Sequence, residues 1–263
     1  MGSRMIILLA PSKTMDFDTP VPSSFVSQKP LFEREARVLV NASLGLGDSF
    51  DNVFSISDKL GAKTRLELEE WGSGAKKPAL WAYIGDVYAG LGISSVLEAS
   101  YGYVHDTIRV ISGLYGYVRP GDLIERYRLE MKTRLSGEWG SSLYDFWGSK
   151  IADEIVKDIG PSGTIINATS QEYMRSIKKF LPPGITVITP KFLQEYEDGT
   201  RKDVTVYTKI SRGLLARYLA MHRIRTPDAL TGFDLQGYSH ELEDDDFDLV
   251  YTRDFTPFTL DQD

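Results

Sequence analysis

The chain has 263 residues, of which 42% are hydrophobic and 25% charged, and this length and composition predict a globular α/β protein with a sizeable core. It contains no cysteine, which excludes disulfides, thiolate catalysis and thiolate metal sites, and its three histidines are too scattered to predict an imidazole metal site. The formal net charge of −7 excludes nucleic-acid binding through the overall field, so any such binding requires a local basic patch.

Strongly patterned elements occupy the first third of the chain. The apolar run MIILLA at residues 5–10 has no polar alternation, which predicts a strand buried on both faces. After a loop rich in proline and serine, apolar residues at helical spacing predict helices at about residues 31–44 and 57–71. Residues 1–4, MGSR, are interpreted as a cloning remnant before the native start.

The middle of the chain alternates predicted strands with helices. The pattern of residues 79–92 predicts an apolar strand that enters a loop at Gly85-Asp86, and TIRVIS at residues 107–112 predicts another strand. Residues 145–158 are predicted to be helical. GTIINATSQEY at residues 163–173 predicts a further strand that ends in a polar turn.

The last third of the chain completes the predicted fold. ITVITP at residues 185–190 and DVTVYTKI at residues 203–210 predict two more strands, and a long helix is predicted from near Ser211 to Thr226-Pro227. Strands interleaved with helices indicate an α/β fold with mixed α+β features, in which helices flank a central, largely parallel sheet. The later strands are expected to add an antiparallel extension, and residues 5–263 to form a single domain.

Small polar loops follow three of the predicted strands. They are Pro11-Ser12-Lys13-Thr14, Ser112-Gly113-Leu114-Tyr115-Gly116 and Asn167-Ala168-Thr169-Ser170. In an open parallel sheet the carboxyl ends of the strands lie on one edge, where ligands bind. The three loops are therefore predicted to converge on one cleft.

The first of these loops invites comparison with a nucleotide P-loop, because Lys13-Thr14 follows a strand. The comparison fails, since the segment lacks the glycines that let a backbone wrap phosphates. Lys13 is interpreted either as a single cation for a phosphate or carboxylate, or as an ordinary surface lysine.

The glycine-bracketed loop at residues 113–116 leaves three interpretations open. Its backbone could approach a ligand closely, or it could be a structural turn. It could also be the hairpin of a helix–hairpin–helix element that holds a DNA phosphate, with Arg119 nearby for charge. The β-rich residues 108–111 favour a strand-end loop over the helical alternative.

The segment ERYRLEMKTR at residues 125–134 has a period of two. One face carries Arg126, Arg128, Glu130, Lys132 and Arg134. This face is interpreted as a solvated strand edge, as a contact for a polyanion, or as a place where Arg128 and Glu130 orient each other inside the cleft.

Further charged residues flank the predicted strands and the long helix. Asp86 follows a strand and Gly85, and is the best remaining carboxylate for acid–base chemistry. Lys209, Arg212, Arg217 and Arg223 lie in or just before the long helix. Arg212 and Arg223 lie opposite its apolar stripe, where they face either solvent or a phosphate backbone. Arg212, next to a glycine near the predicted helix start, forms a plausible anion site.

The acidic stretch ELEDDDFD at residues 241–248 is interpreted as a solvated surface segment. Its spacing lacks the glycine of a calcium loop, which leaves divalent-cation binding as the weaker interpretation. A third hypothesis for the whole protein is an interaction role, in which this segment docks a basic partner.

The sequence also predicts a cytoplasmic location. No apolar run approaches the roughly 20 residues needed to span a bilayer. The start of the chain does not combine basic, apolar and small-residue segments as a secretory signal does. No membrane contact is therefore predicted.

Read together, these motifs resemble the YaaA family of peroxide-stress proteins. The matching stretches are ILLAPSKTMDF, ISDKL, GDVYAGL, ISGLYGYVRPGDLI, YRLEM, LYDFWG, INATSQEY, SRGLLARY and LTGF. They occur in the family's order from Met5 to about Tyr238, with Ser12 in place of the family's usual alanine. The acidic segment has no counterpart in the resemblance.

The resemblance implies a cytoplasmic protein that limits intracellular free iron during hydrogen peroxide stress. It also implies similarity to DNA-binding proteins, with a cleft of positive charge and a helix–hairpin–helix element on an unusual fold. It supplies no catalytic residues. The ISGLYG and YRLEM stretches are more faintly similar to a motif of α/β proteins that handle nucleobases. Without cysteine, any effect on iron is expected to be indirect.

The sequence thus predicts a DNA-binding protein of the peroxide stress response that holds the phosphate backbone without sequence specificity. The alternative is an α/β enzyme that acts on a nucleotide or nucleobase, with Lys13, Asp86, Arg128 and Glu130 as candidate catalytic residues. The predicted nucleic-acid or anion contacts are Lys13, Ser112, Gly113, Tyr115, Gly116, Arg119, Arg128, Lys132, Asn167, Ser170, Lys209, Arg212 and Arg217. No metal or cofactor is predicted, and a small anionic ligand is the alternative partner.

Overall fold

Two larger β-sheets, two short strand pairs and a set of surrounding helices make up the computed structural model, which describes residues 4–241 and 249–258. The strands are β1 (Met5–Leu9), β2 (Thr14–Met15), β3 (Lys77–Pro78), β4 (Tyr83–Ile84), β5 (Ile108–Ser112), β6 (Gly116–Val118), β7 (Leu123–Ile124), β8 (Thr164–Ala168), β9 (Thr186–Ile188), β10 (Lys191–Glu195), β11 (Arg201–Lys202), β12 (Ser239–Glu241) and β13 (Val250–Asp254). The α-helices are α1 (Glu33–Leu44), α2 (Phe50–Phe54), α3 (Asp58–Glu69), α4 (Ala79–Ala82), α5 (Asp86–Leu91), α6 (Tyr101–Thr107), α7 (Leu143–Trp147), α8 (Lys150–Ile159), α9 (Gln171–Met174) and α10 (Thr205–His222). Short 3-10 helices lie at Gly47–Ser49, Ile93–Ser95, Glu98–Ser100, Lys178–Phe180, Pro227–Gly232 and Leu235–Gly237.

The central sheet has the strand order β6-β5-β1-β8-β9. β1 pairs in parallel with β5 and β8, and β8 pairs in parallel with β9. All five residues of β1 are buried, as its uninterrupted apolar run predicts. The predicted α/β fold with a central, largely parallel sheet flanked by helices is confirmed.

Antiparallel pairing occurs at the edges of this arrangement. β6 pairs antiparallel with β5 at one edge of the central sheet. A second sheet has the order β11-β10-β13-β12, with a parallel pair at its centre and an antiparallel strand on each side. The predicted strand at residues 185–190 belongs to the central sheet as β9 rather than to the extension.

Three predicted elements take a different form in the structure. Residues 203–210, predicted as a strand, instead contain the start of α10 at Thr205. Residues 79–92 fold as α4, β4 and α5 rather than as one strand. The predicted helix at residues 145–158 is two helices, because Gly148 breaks the chain with a φ of 48°. In the first case, packing along α10 overrides the strand preference of its β-branched residues.

Helices α5 and α10 pack closely through two glycines. An added Cβ on Gly90 would press on the Ile210 carbonyl oxygen, and one on Gly213 would press on the Val87 carbonyl oxygen, both well inside the 3.0 Å that Cβ atoms essentially never cross. The two backbones can therefore come this near only because neither glycine carries a side chain. This contact fixes the position of Asp86, the first residue of α5, relative to α10.

Some predictions fall at or beyond the ends of the described residues. Of the acidic segment at residues 241–248, only Glu241 is described, and its carboxylate forms an ion pair with Arg201 at 2.6 Å. The others, like residues 1–3, lie outside the described residues. Within the described chain, none of the helices combines the length and apolar character that crossing a membrane requires.

Candidate functional site

A cavity of about 500 Å³ opens beside the carboxyl end of β1. Five separate parts of the chain surround the end of this strand and form the cavity wall. They contribute residues 10–14, residues 85–88, residues 127–130 with Lys132, residues 170 and 172–173, and Lys209 with Arg212 from α10. The fold thus gathers most of the predicted charged residues into one hollow, where parallel sheets place their ligands.

Three lysines in this cavity share two carboxylates. The Nζ of Lys13 lies 2.8 Å from Oε1 of Glu130, and the Nζ of Lys132 lies 3.3 Å from its Oε2. The Nζ of Lys209 lies 3.4 Å from Oδ2 of Asp86. Each of these lysines is half to two-thirds exposed, so the ion pairs orient the ammonium groups without removing them from solvent.

Two arginines of the cavity have no such partners among the residues that the structure describes. The Nε atoms of Arg128 and Arg212 are buried and make no hydrogen bond within the described part of the chain. Burial lowers the pKa of Arg212, and the nearby carboxylate of Asp203 opposes this shift. A buried guanidinium nitrogen without an acceptor is costly, which marks both side chains as sites where an anion would be stabilised.

Glu130 stays ionised between its lysine partners. Burial alone would raise the pKa of its carboxyl group, but the hydrogen bond and charge of Lys13, together with Lys132, outweigh burial and lower this pKa below its ordinary 4.5. The carboxylate therefore acts at neutral pH as a fixed anchor for two ammonium groups.

The ion pairs of Glu130 are expected to make the free energy of unfolding depend on pH. Because the folded pKa of Glu130 lies below 4.5, its ion pairs stabilise the fold above that pH and are lost as the pH falls through the folded value. Glu130→Gln is expected to lower the free energy of unfolding by a constant amount from about pH 7 to about pH 5, and by progressively less at lower pH.

Urea titrations of both proteins across this range measure the difference in the free energy of unfolding. Glu138→Gln, at an exposed residue outside the cavity, is the matched control and is expected to match the wild type throughout. A Glu130→Gln effect that grows as the pH falls would contradict the ion-pair assignment.

The segment that carries Arg128 and Glu130 belongs to no helix or sheet between residues 125 and 130. Its odd-numbered residues are buried up to Leu135, whereas the even-numbered ones are partly or fully exposed, as the period of two predicts. Arg126 is held away from the cavity, since its Nη1 donates to the Met15 carbonyl at 2.9 Å and its guanidinium lies over the Phe17 ring.

The glycine-bracketed loop is a buried β-hairpin. It joins the antiparallel strands β5 and β6, so the helix–hairpin–helix alternative is wrong for this segment. Ser112 Oγ accepts the backbone N–H groups of Leu114 and Tyr115 at 3.1 and 3.0 Å. The Tyr115 hydroxyl accepts from Trp71 Nε1 at 2.8 Å. The loop therefore uses its polar groups internally.

The two glycines of this hairpin are required by packing. A Cβ on Gly113 would press on the Leu129 carbonyl oxygen, so the close backbone approach is to the protein itself. Gly116 has a φ of +63° and lies against the Trp147 ring. The hairpin also contacts the cavity wall from behind through Ser112, whose Oγ lies 2.7 Å from the hydroxyl of Tyr127.

The third predicted loop, after β8, divides into a structural and a cavity-facing part. Asn167 is buried; its amide donates to Thr189 Oγ1 at 3.1 Å and its Oδ1 accepts from the hydroxyl of Thr169 at 2.7 Å. It does not line the cavity. Ser170, three residues later, does line it, directly before α9.

Two predicted cations lie elsewhere. Arg119 follows β6, which runs back from the cavity edge, and its guanidinium is held by Asp122 at 2.8 Å and by the Lys29 carbonyl at 2.7 Å. Arg217 lines a neighbouring cavity of about 840 Å³. The two cavities share Gly85 and Tyr88 in their walls.

Sequence reasoning missed several aromatic and acidic residues of the wall. Tyr127 lies there with its hydroxyl 2.6 Å from that of Tyr83, and Tyr88 donates its hydroxyl to the Ala10 carbonyl at 2.9 Å. Glu172 accepts the backbone N–H of Lys132 at 3.1 Å. The period of two placed Tyr127 on the apolar face, which gave no sign of its polar role, whereas Glu172 could have been found from its place just after a strand end.

No cluster of three or more histidine or acidic side chains suited to a metal ion occurs among the residues that the structure describes. The carboxylates of Glu130 and Asp86 are instead paired with lysines, and that of Glu172 accepts a backbone N–H. The arrangement is therefore suited to bind an anion, because its free hydrogen-bonding capacity is that of donors.

The whole-chain comparisons agree on one family. The family model described as "Peroxide stress protein YaaA" matches residues 5–244. The chain is 34% identical over 256 residues to a UPF0246 protein of Saccharophagus degradans, covering 95% of this chain and 99% of the relative. It is 36% identical over 259 residues to one from Aliivibrio fischeri, and 37% over 258 residues to one from Clostridium perfringens. These matches cover 95% of this chain and 98% and 100% of the two relatives, respectively.

Proposed function

The chain belongs to the peroxide stress protein YaaA family, and from this premise we propose that it binds DNA in the cytoplasm during hydrogen peroxide stress and so helps to limit free iron and oxidative damage. The observation that supports DNA binding most directly is the gathering of Lys13, Arg128, Lys132, Lys209 and Arg212 around one cavity. A chain with a net charge of −7 requires such a concentration of cations to hold a polyanion.

The chemistry of these residues favours phosphate contact over base recognition. Lysine ammonium groups present point charges, and guanidinium groups present paired N–H donors, both of which suit phosphate oxygens. Contacts of this kind position a nucleic acid without reading its sequence. The proposed binding is therefore independent of sequence.

The proposed effect on iron is indirect. No metal cluster occurs among residues 4–241 and 249–258, and the chain has no thiolate to sequester iron. In this proposal the protein acts through the nucleic acid that it binds. It acts either on the molecules that iron damages or on the cell's response to that damage.

The dependence of DNA affinity on salt tests the proposal. Each phosphate neutralised by the protein releases condensed counterions, so the logarithm of the association constant is expected to fall with the logarithm of salt concentration with a slope of roughly −0.9 per contact on duplex DNA. With the five cavity cations as the contacts, a slope of about −3 to −5 is expected from fluorescence anisotropy titrations. A flat salt dependence would contradict phosphate-dominated binding.

A nucleotide- or nucleobase-modifying enzyme is the second candidate function. The observation that favours it is that all four proposed catalytic residues, Lys13, Asp86, Arg128 and Glu130, line the same cavity at a strand end. The two functions differ in the effect of Asp86→Asn and Glu130→Gln on peroxide resistance in cells. An enzyme would lose that protection while the purified variants bound DNA no more weakly than the wild type.

A further inference from the structure

The charges of the cavity do not cancel evenly. Among the described residues its wall carries five cationic and three carboxylate side chains, which leaves an excess of two positive charges. The three lysines pair with Glu130 and Asp86, and Glu172 accepts the backbone N–H of Lys132. The remaining charges are those of Arg128 and Arg212.

Within the described residues, the two cations of the wall without an ion pair are both arginines, and this restricts the anion that they suit. A guanidinium offers its Nε and one terminal nitrogen as parallel donors to two oxygens of one carboxylate or phosphate. In the described part of the chain, the Nε atoms of Arg128 and Arg212 are buried donors without acceptors. An anion held by both forks needs at least three or four acceptor oxygens and about two negative charges.

A phosphate monoester meets this requirement better than an internal phosphodiester. The monoester has three terminal oxygens and a charge of about −1.5 to −2 at neutral pH, because its second pKa is near 6. An internal phosphodiester of a nucleic acid carries one negative charge and only two free oxygens. The monoester therefore matches both the charge excess and the number of donors.

We propose that the cavity is selective for a terminal phosphate monoester, namely the phosphorylated end of a nucleic-acid strand or a mononucleotide, and that Arg128 and Arg212 are the residues that hold it. This selectivity rests on the proposed function, which requires only that the cavity contact phosphates. It adds a distinction between strand ends and strand interiors.

The neighbouring cavity of about 840 Å³ gives the nucleoside part of such a ligand a place to lie. Gly85 and Tyr88 belong to both walls, so the two hollows adjoin. Gly85 has a φ of +115°, and a Cβ there would lie 3.0 Å from Ser12 Oγ, so this boundary requires glycine. The second hollow is lined by Ile84 and Met221, which are 40% and 49% exposed and offer apolar surface to a base.

Binding titrations with strands that differ only at one end test the selectivity. Fluorescence anisotropy is measured for short single strands of one sequence that end in a 5′-phosphate, a 3′-phosphate or hydroxyl groups only, near pH 8 where the monoester is a dianion. At least one of the two phosphorylated strands, 5′ or 3′, is expected to bind about tenfold more tightly than the hydroxyl-ended strand. A deoxynucleoside monophosphate is expected to compete, whereas the nucleoside is not.

The possible outcomes separate this inference from the proposed function. Equal affinity for all three strands overturns the selectivity and leaves DNA binding intact. Failure of every strand to bind, together with binding of the monophosphate, overturns DNA binding and supports the monoester site. Competition by inorganic phosphate as strong as that by the monophosphate overturns the assignment of a nucleotide end.

A charge-conserving variant provides the control at the residues themselves. Arg128→Lys with Arg212→Lys keeps both positive charges but removes the paired donors, so it is expected to reduce the affinity for the phosphorylated strand to that for the hydroxyl-ended strand, which abolishes the preference. Arg34→Lys with Arg65→Lys, on α1 and α3 outside the cavity, is expected to retain the preference.

The thermal stability of the cavity variant decides how its binding is interpreted. If the Arg128→Lys, Arg212→Lys protein unfolds at the wild-type temperature and still prefers the phosphorylated end, the role of the two arginines is overturned. If that double variant does not fold, the comparison of strand ends with the wild type decides the proposal.

Discussion

Gly213→Ala is expected to lower the free energy of unfolding by about 3 kcal/mol, which corresponds to a fall in Tm of roughly 6–12 °C for a protein of this size. Alanine has the better intrinsic helix propensity, by about 1 kcal/mol. That gain is outweighed because the new Cβ would press on the Val87 carbonyl oxygen and lie 2.7 Å from the Leu91 backbone nitrogen. Neither backbone atom can rotate away, so α5 and α10 must move apart.

Gly102→Ala is the matched control for this substitution. Gly102 also lies within a helix, α6, but an added Cβ there meets nothing within 4 Å. The same chemical change is therefore expected to leave stability unchanged or to raise it by about 0.5–1 kcal/mol. Thermal unfolding followed by circular dichroism measures both variants, and equal effects of the two substitutions would show that the contact between α5 and α10 is not tight.

The same substitution is expected to disturb the cavity. Asp86 is the first residue of α5, and Lys209 and Arg212 lie on α10, so the distance between the helices sets the 3.4 Å contact between Lys209 and Asp86. A folded Gly213→Ala protein is therefore expected to bind DNA more weakly than the Gly102→Ala protein. Stability and binding are coupled here through the position of one helix against another.

Much of this arrangement follows from short-range sequence patterns. The apolar run of β1 and the strands at residues 108–112 and 164–168 were predictable, because a buried parallel strand has an almost continuous apolar sequence. Parallel pairing then places the ends of those strands on one edge, which is why Lys13 and Ser170 could be expected to lie near each other.

The residues that were misplaced depend on information that local patterns lack. Arg119 was expected at the cleft, but the antiparallel return of β6 carries it away and Asp122 then binds it. Nothing in the local sequence distinguishes a hairpin from a crossover at Ser112–Gly116. The β-branched start of α10 similarly favours a strand until the packing against α5 is known.

The role of the glycines was also beyond local reasoning. A glycine after a strand permits close approach, but the sequence does not say to what. In the structure the backbone that approaches Gly113 is that of Leu129, in the segment that presents Arg128 and Glu130. The loop therefore supports the cavity indirectly, because it fixes the position of the segment that carries Arg128 and Glu130.

Arg128→Ala combined with Arg212→Ala is expected to reduce DNA affinity by about 100-fold at moderate salt. A hydrogen bond to a charged group contributes about 1.5–3 kcal/mol, and two such losses amount to roughly 3 kcal/mol or more. The salt slope is expected to become shallower by about 2, one for each lost phosphate contact. Anisotropy titrations at several salt concentrations measure both quantities. The stability of the variant is expected to be maintained, because neither Nε atom has a protein acceptor to lose within the described part of the chain.

The matched control removes the same number of charges elsewhere. Arg34→Ala with Lys59→Ala changes two exposed cations on α1 and α3, so both double variants carry two fewer positive charges than the wild-type chain. If binding depended on the overall field, the two variants would weaken it equally. Because the cavity gathers its cations within one hollow, the control is expected to bind within about twofold of the wild type. Equal losses in the two variants would place the DNA contact outside this cavity.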